Sequence, residues 1–344
     1  MKKTILAVAA LVAVGMTSCN NDEELLQGNE AIGFSNVFVD NSTRSISDPS
    51  YTNDNLFEDF AVYGFVEGAV LFNGNTISKS ITNDALQSNW KYEGTQYWIA
   101  GAKYNFAAIA PKSGAGWTTA NCILNNNGAV ETTLSFTNNG TTDLLYSNPD
   151  AIEGEVSGNE AVPFTFRHLL SKVKFSFKNN YNASNATIKV SNIKINNAYE
   201  TGTVTLTGAN TIAWTDQTSS LELDFGAATD DESTDNKEGA AVAFGFGKTY
   251  ESLNERLLIP SQRFADGQNA GYKVTFTVDL LISGTLVKQY SHTAYVNHEF
   301  VAGHSYDIVA EINAENIDPE KKQEPIEFTV EPISGWGEPN NQNM

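Results

Sequence analysis

Ser171-Lys-Val-Lys-Phe-Ser-Phe-Lys178 alternates without a break: Val173, Phe175 and Phe177 take one side of an extended chain, and Lys172, Lys174, Ser176 and Lys178 the other. A strand puts successive side chains on opposite faces, so this stretch reads as β-structure with one face in a core and one in water. The same period runs outward in both directions. Ile32, Phe34 and Phe38 fall in register within residues 31–39, as do Tyr104, Phe106, Ala108 and Ala110 further on. Leu221, Leu223 and Phe225 continue it, and so do Tyr272, Val274, Phe276, Val278 and Leu280. Ile188 and Val190 share one phase while Ile193 and Ile195 take the opposite one, which predicts a bulge near Asn192. Turn residues fill the gaps: Asn73-Gly74-Asn75, Asn125-Asn-Asn-Gly128, Asn138-Asn-Gly140 and Ser283-Gly284. Helical spacing is nearly absent. Half-polar strands separated by such turns predict an all-β chain of antiparallel sandwiches.

The amino terminus carries a different signal. Met1-Lys2-Lys3 is positive, and residues 5–16 form an apolar run too short to span a bilayer but of signal-peptide length. The run closes in Gly15-Met16-Thr17-Ser18-Cys19, small residues before a cysteine, as a lipoprotein signal peptidase requires. Met16 stands where leucine is usual. Residues 1–18 thus read as a lipoprotein signal peptide and Cys19 as the lipidated residue. Asn20-Asn-Asp-Glu-Glu24 opens a polar tether over residues 19–30. Several acyl chains on one cysteine hold a protein at a membrane where a single chain does so only marginally. With Cys19 lipidated, Cys122 has no partner for a disulfide and reads as a small core residue.

The chain has 344 residues and a net charge of −20. That balance argues against nucleic acid and against anionic lipid as partners of the protein surface. The length suits two domains of roughly 150 residues each. The acidic stretch 148–160 is the best linker, which predicts an N-terminal sandwich over 31–160, a C-terminal sandwich over 161–337 and a tail over 338–344. A second acidic stretch, 229–239, lacks the D-x-D-x-D-G order of a calcium loop and reads as a solvated loop.

Catalytic signatures are missing: no H-E-x-x-H, G-x-S-x-G, C-x-x-C or phosphate loop occurs. Gly245-Phe-Gly247-Lys-Thr249 has only a superficial likeness to the last of these. His168, His292, His298 and His304 are not spaced as ligands of one metal, and no carboxylate pair stands out. The expectation is no enzyme, no metal and no cofactor. Trp90, Tyr92, Tyr97 and Trp98 could form a glycan-stacking platform or fill a sandwich core, and core is the plainer reading. Arg44, the only arginine before Arg167, lies in Asp40-Asn-Ser-Thr-Arg-Ser-Ile-Ser-Asp-Pro-Ser50, a polar segment of the kind that proteases reach.

In order along the chain, these residues resemble the fimbrillin family, subunits of type V pili. The match runs from the lipobox through Ile32-Gly-Phe34 and Thr43-Arg44 to Phe60-Ala-Val-Tyr-Gly64 and Leu71-Phe72-Asn73. Trp90-Lys-Tyr92, Tyr97-Trp98-Ile-Ala-Gly101 and Tyr104-Asn-Phe106 follow. Phe164-Thr-Phe-Arg-His-Leu-Leu-Ser-Lys-Val-Lys-Phe175, Leu257-Leu-Ile-Pro260, Ala302-Gly-His-Ser-Tyr306 and Trp336 complete it. Ser261 stands where many members have glutamine. The resemblance implies two tandem antiparallel Greek-key β-sandwich domains, transthyretin-like, in a palmitate-bearing lipoprotein of the outer membrane surface. It implies proteolysis between Arg44 and Ser45, loss of the strand bearing Ile32, Phe34 and Phe38, and replacement by a strand of another pilus subunit. The segment with Ile326, Phe328 and Val330 could be that donor or simply the last strand of its own domain; Pro325 and Pro332 confine it to an edge. A host or bacterial surface ligand fits an adhesive subunit. An anchor or tip subunit, or a non-polymerising surface lipoprotein that binds glycans, remains the alternative.

Overall fold

Period-two alternation becomes strand after strand in the computed structural model, which describes residues 30–39, 57–80, 89–155, 158–208, 211–230, 240–261, 270–321 and 324–333. Cys19, Arg44, Ser45, Trp336, residues 338–344 and most of the acidic loop 229–239 lie outside them. No helix occurs among the described residues. In chain order the first strands are β1 (Phe34–Val39), β2 (Asp59–Val66), β3 (Ala69–Ser80), β4 (Asn89–Lys91), β5 (Lys103–Ala110), β6 (Trp117–Leu124) and β7 (Val130–Thr137). Then come β8 (Leu145–Ser147), β9 (Ile152–Glu153), β10 (Val162–His168), β11 (Ser171–Asn179), β12 (Ala186–Thr207), β13 (Thr211–Gly226) and β14 (Ala228–Thr229). The last are β15 (Phe244–Gly245), β16 (Thr249–Ser252), β17 (Arg256–Leu258), β18 (Tyr272–Ile282), β19 (Thr285–Val296), β20 (Ser305–Ile312) and β21 (Phe328–Ile333).

They form three sheets. The first runs β1-β10-β8-β5-β2-β3-β4, the second β14-β16-β11-β20-β21, and the third β19-β18-β12-β7-β6. Pairing is antiparallel except for β1 with β10 and β11 with β20, which are parallel. The predicted all-β, antiparallel class holds, with one parallel pair in each half of the chain.

Strand β12 is the spine. Its first part pairs with β18 and sends Ile188, Val190, Ile193 and Ile195 into a core shared with the second sheet. Its last part pairs with β7 and sends Val204 and Leu206 into a different core, against Ala61, Tyr63 and Ile109 of the first sheet. The predicted bulge lies within the first part: register shifts between Ser191 and Lys194, and Asn192 sits at φ 53°. Asparagine tolerates that left-handed conformation better than a β-branched residue would.

One expectation needs correction. Strands β2 and β5 are buried on both faces, because the other side of the first sheet packs on a third core around Phe60, Phe72, Phe106 and Phe164. A wet face is therefore not general. Sheet membership runs across position 160/161. Strand β10, beyond it, lies in the first sheet, where Phe164 and Phe166 fill the core, while β6 and β7, before it, join the third sheet. The chain crosses from first to second sheet at Leu169-Leu170, both fully buried. Leu144, Trp214 and Gly303 hydrogen-bond the backbone of this joint.

Candidate functional site: the groove filled by the first strand

Residues 30–39 occupy a slot between two partners. On one side Ile32 N donates to the Gln96 carbonyl at 2.8 Å, and Trp98 N donates to the Glu30 carbonyl at 2.9 Å. On the other side Val162 N donates to the Gly33 carbonyl at 2.8 Å, and β1 continues parallel to β10 in the register Phe34↔Val162, Ser35↔Pro163, Phe38↔Thr165 and Val39↔Phe166. Register shifts between Ser35 and Phe38, beside Pro163, which has no N–H for the ladder. Asn159 N donates to Glu30 Oε2 at 2.8 Å and holds the start of the segment.

Its side chains complete the aromatic core. Ile32 is 2 % exposed and Phe34 5 %. The Phe34 ring stacks on Phe164 with centroids 5.6 Å apart and meets Phe72 and Tyr92 edge-on, also at 5.6 Å. Phe60 and Phe106 stand edge-on behind it at 6.4 and 6.3 Å. Of the residues predicted to leave with this strand, Ile32 and Phe34 are thus core residues; Phe38 is placed by its backbone register, and its side chain is outside the description. Beyond β1, the strand pairing that ties β10 to the rest of its sheet among the described residues is Arg167↔Tyr146 and His168↔Leu145 at its far end. Along the slot, the backbone partners of Val162 to Phe166 are supplied by β1.

Trp90, Tyr92, Tyr97 and Trp98 do not form an exposed platform. Trp98 is 1 % exposed and packs edge-on against Tyr104, Trp90 and Tyr92 are half-buried against the same core, and only Tyr97, 38 % exposed, faces outward. The rings fill space between strands, which removes the stacking surface that a glycan site on these four residues needs. Tyr92 and Tyr104 also use their hydroxyls: Tyr92 donates to the Ile32 carbonyl at 2.8 Å, and Ile99 N donates to Tyr104 Oη at 2.7 Å. Burial raises both phenols above their ordinary pKa, so both stay protonated near neutrality.

The Tyr104 corner recurs. Val301 N donates to Tyr306 Oη at 3.1 Å, and Gly101 and Gly303 both turn at φ 74° three residues before their tyrosines. The signal was present in the sequence as Ile99-Ala-Gly101 before Tyr104 and Val301-Ala-Gly303 before Tyr306. A hydroxyl that caps a turn has no periodicity to show in a pattern of apolar residues.

The second candidate strand, β21, lies at the edge of its own sheet, antiparallel to β20 with Ile308↔Val330 and Ala310↔Phe328. Ile326 is buried; Phe328 and Val330 are half-buried, with the Phe328 ring 5.6 Å from Phe175 and 6.2 Å from Phe276. Beside it runs an open cleft of about 550 Å³ lined by acids, among them Glu311, Glu324, Glu327 and Glu331. The histidines are scattered. His168 Nδ1 meets the Asp143 carboxylate, His292 stacks on Phe276, and His298 and His304 pack around Tyr306. Among the described residues no group of three or more His, Cys, Asp or Glu could hold a metal. Cys122 is partly buried beside Thr132, and burial raises its thiol pKa, which works against a reactive thiolate.

The described chain is all-β, and its first described strand completes an aromatic core and pairs with β10 through one parallel ladder. Residues 43–332 match the family model described as fimbrillin-like, and the chain belongs to that family. Membership places it among pilus-related proteins of the cell surface. Among solved structures it is similar to a candidate cell adhesion protein from Bacteroides uniformis, 15 % identical over 90 % of this chain and 98 % of that one, with a TM-score of 0.44. Another from Parabacteroides distasonis is 10 % identical over 92 % and 99 %, also at 0.44. The fimbrial anchor protein Mfa2 from Porphyromonas gingivalis is 11 % identical over 90 % and 99 %, at 0.37. Such scores describe a distant likeness in the course of the chain. No curated protein sequence matches it.

Proposed function

We propose that this chain is a structural and adhesive subunit of a type V pilus, exported as a lipoprotein through Cys19 and switched to assembly by cleavage after Arg44. The observation that carries the proposal is the slot itself: residues 30–39 are held by a parallel ladder and an aromatic core. Ile32 and Phe34 each contribute roughly 1.5–3 kcal/mol of burial to staying. While the chain is intact, the strand is tethered beside its slot, and its effective concentration there is high. Cutting between Arg44 and Ser45 removes that advantage. The vacated slot offers the unpaired edge of β10, a template for an incoming strand.

The segment of residues 326–333, which ends in β21, carries what the slot reads. Ile326-Glu-Phe328 repeats the spacing of Ile32-Gly-Phe34, an aliphatic residue followed two places on by phenylalanine. It lies at a sheet edge, so its release breaks one ladder only. A second copy of the chain, or a related subunit, can therefore supply the donor, and growth by strand exchange needs no catalytic residue or cofactor. Limited digestion of the chain from Cys19 onward with an Arg-specific protease tests this. Mass spectrometry locates the cuts and unheated detergent gels report oligomers. A cut after Arg44 followed by a detergent-resistant ladder supports the proposal. A cut without a ladder points to a tip or anchor subunit. Retention of the first strand under conditions that cut Arg44 rejects strand exchange.

A further inference from the structure

Strand β4 stops at Lys91, and the chain returns to the first strand only at Gln96. The gap is bridged by one side chain. The Tyr92 hydroxyl donates to the Ile32 carbonyl at 2.8 Å and accepts from Gln96 N at 3.1 Å, so a phenol stands where a ladder N–H would otherwise reach the first strand. The same ring lies edge-on to Phe34, 5.6 Å away, and to Phe72 at 5.3 Å. Tyr92 thus touches the occupant twice, at a main-chain carbonyl and at an aromatic side chain two residues later.

We infer that Tyr92 is the positioning residue that sets the register of whichever strand fills the slot. A main-chain carbonyl is the same in every sequence, so the hydroxyl can donate to any strand that enters the slot. The ring contact then requires an aromatic side chain two positions beyond that carbonyl. A slip of one residue turns every apolar side chain outward, and a slip of two keeps the carbonyl bond but loses the aromatic contact. Only one register satisfies both. Burial keeps the phenol protonated and able to donate. The inference about Tyr92 in the intact chain stands on this geometry; its consequence for incoming strands rests on the strand-exchange proposal.

The test is hydrogen exchange on the full-length chain, wild type against Tyr92→Phe, which keeps the ring and removes the hydroxyl. Losing one hydrogen bond to a buried carbonyl weakens local closure by about tenfold. The expected result is exchange about tenfold faster at Ile32 and at Val162, whose N–H bonds Gly33, with Val190 and Ile195 in the other core unchanged. A change under twofold at Ile32, or an equal change across both cores, overturns the assignment. A second arm uses Arg-cleaved chain and a synthetic peptide of residues 30–39: Tyr92→Phe should release the peptide about tenfold faster than wild type. Equal release rates for the two proteins overturn the register role. Cleaved wild type that binds no peptide defeats strand exchange instead, while the first arm still decides Tyr92.

Discussion

Replacing Phe34 with alanine separates a removable strand from an integral one. Phe34 is 5 % exposed and ringed by Phe60, Phe72, Tyr92, Phe106 and Phe164, so truncation leaves a cavity on which aromatic side chains from four strands cannot readily collapse. Phe-to-Ala changes at such sites cost about 3–5 kcal/mol. If the strand opens on its own, that cost falls on its release alone. At 1.4 kcal/mol per factor of ten, local opening then rises roughly 140- to 3700-fold. Hydrogen exchange with mass spectrometry reads this at Ile32 and at Val162, whose amide is bonded to Gly33. Val190 and Ile195, buried in the core of the second sheet, serve as internal controls. The expected pattern is a large acceleration at the first pair and little at the second. A uniform acceleration along the whole chain would show that the strand and the rest unfold as one unit, and would refute the claim that the slot can empty while the fold persists.

Other sites test the packing. Gly64 faces the aromatic core, where an added Cβ would come within 2.8 Å of Phe72 and 3.0 Å of Phe106; Gly64→Ala should cost about 1–3 kcal/mol, read from the urea midpoint. At the bulge, Asn192→Gly should be neutral to within a few tenths of a kcal/mol, whereas Asn192→Val should cost about 1–2 kcal/mol in the same assay, because valine disfavours positive φ. Burial lowers the pKa of His292, whose Nε2 has no hydrogen-bond partner among the described residues. The unfolded chain therefore binds its proton first, and stability falls as pH drops below about 6.5. Denaturation at several pH values should show His292→Phe losing less stability than wild type on going from neutral to mildly acidic conditions.

Sequence alternation revealed the strands and the bulge at Asn192, because a face that meets water leaves a period of two. It did not reveal which core each face enters. Ala61, Tyr63 and Phe65 look like ordinary interruptions between Phe60, Val62 and Gly64, yet they line a second core on the opposite face. The crossing from the first sheet to the second at Leu169-Leu170 was hidden for a related reason: it is apolar and buried, and carries none of the turn residues that mark a loop. For the slot, Ile32 and Phe34 were legible as apolar positions on an early strand. The part played by Tyr92 was not, since an aromatic residue in a string announces bulk and says nothing of where its hydroxyl points.

The central claim is that the first strand can be exchanged for another strand without loss of the fold, and native mass spectrometry tests it most directly. The Arg-cleaved chain is incubated with excess synthetic peptide of residues 324–333, and the folded species are weighed. The account predicts a folded species that has lost the cleaved amino-terminal segment and gained the peptide. A cleaved segment that stays bound despite the excess, or whose departure leaves only unfolded chain, would contradict it.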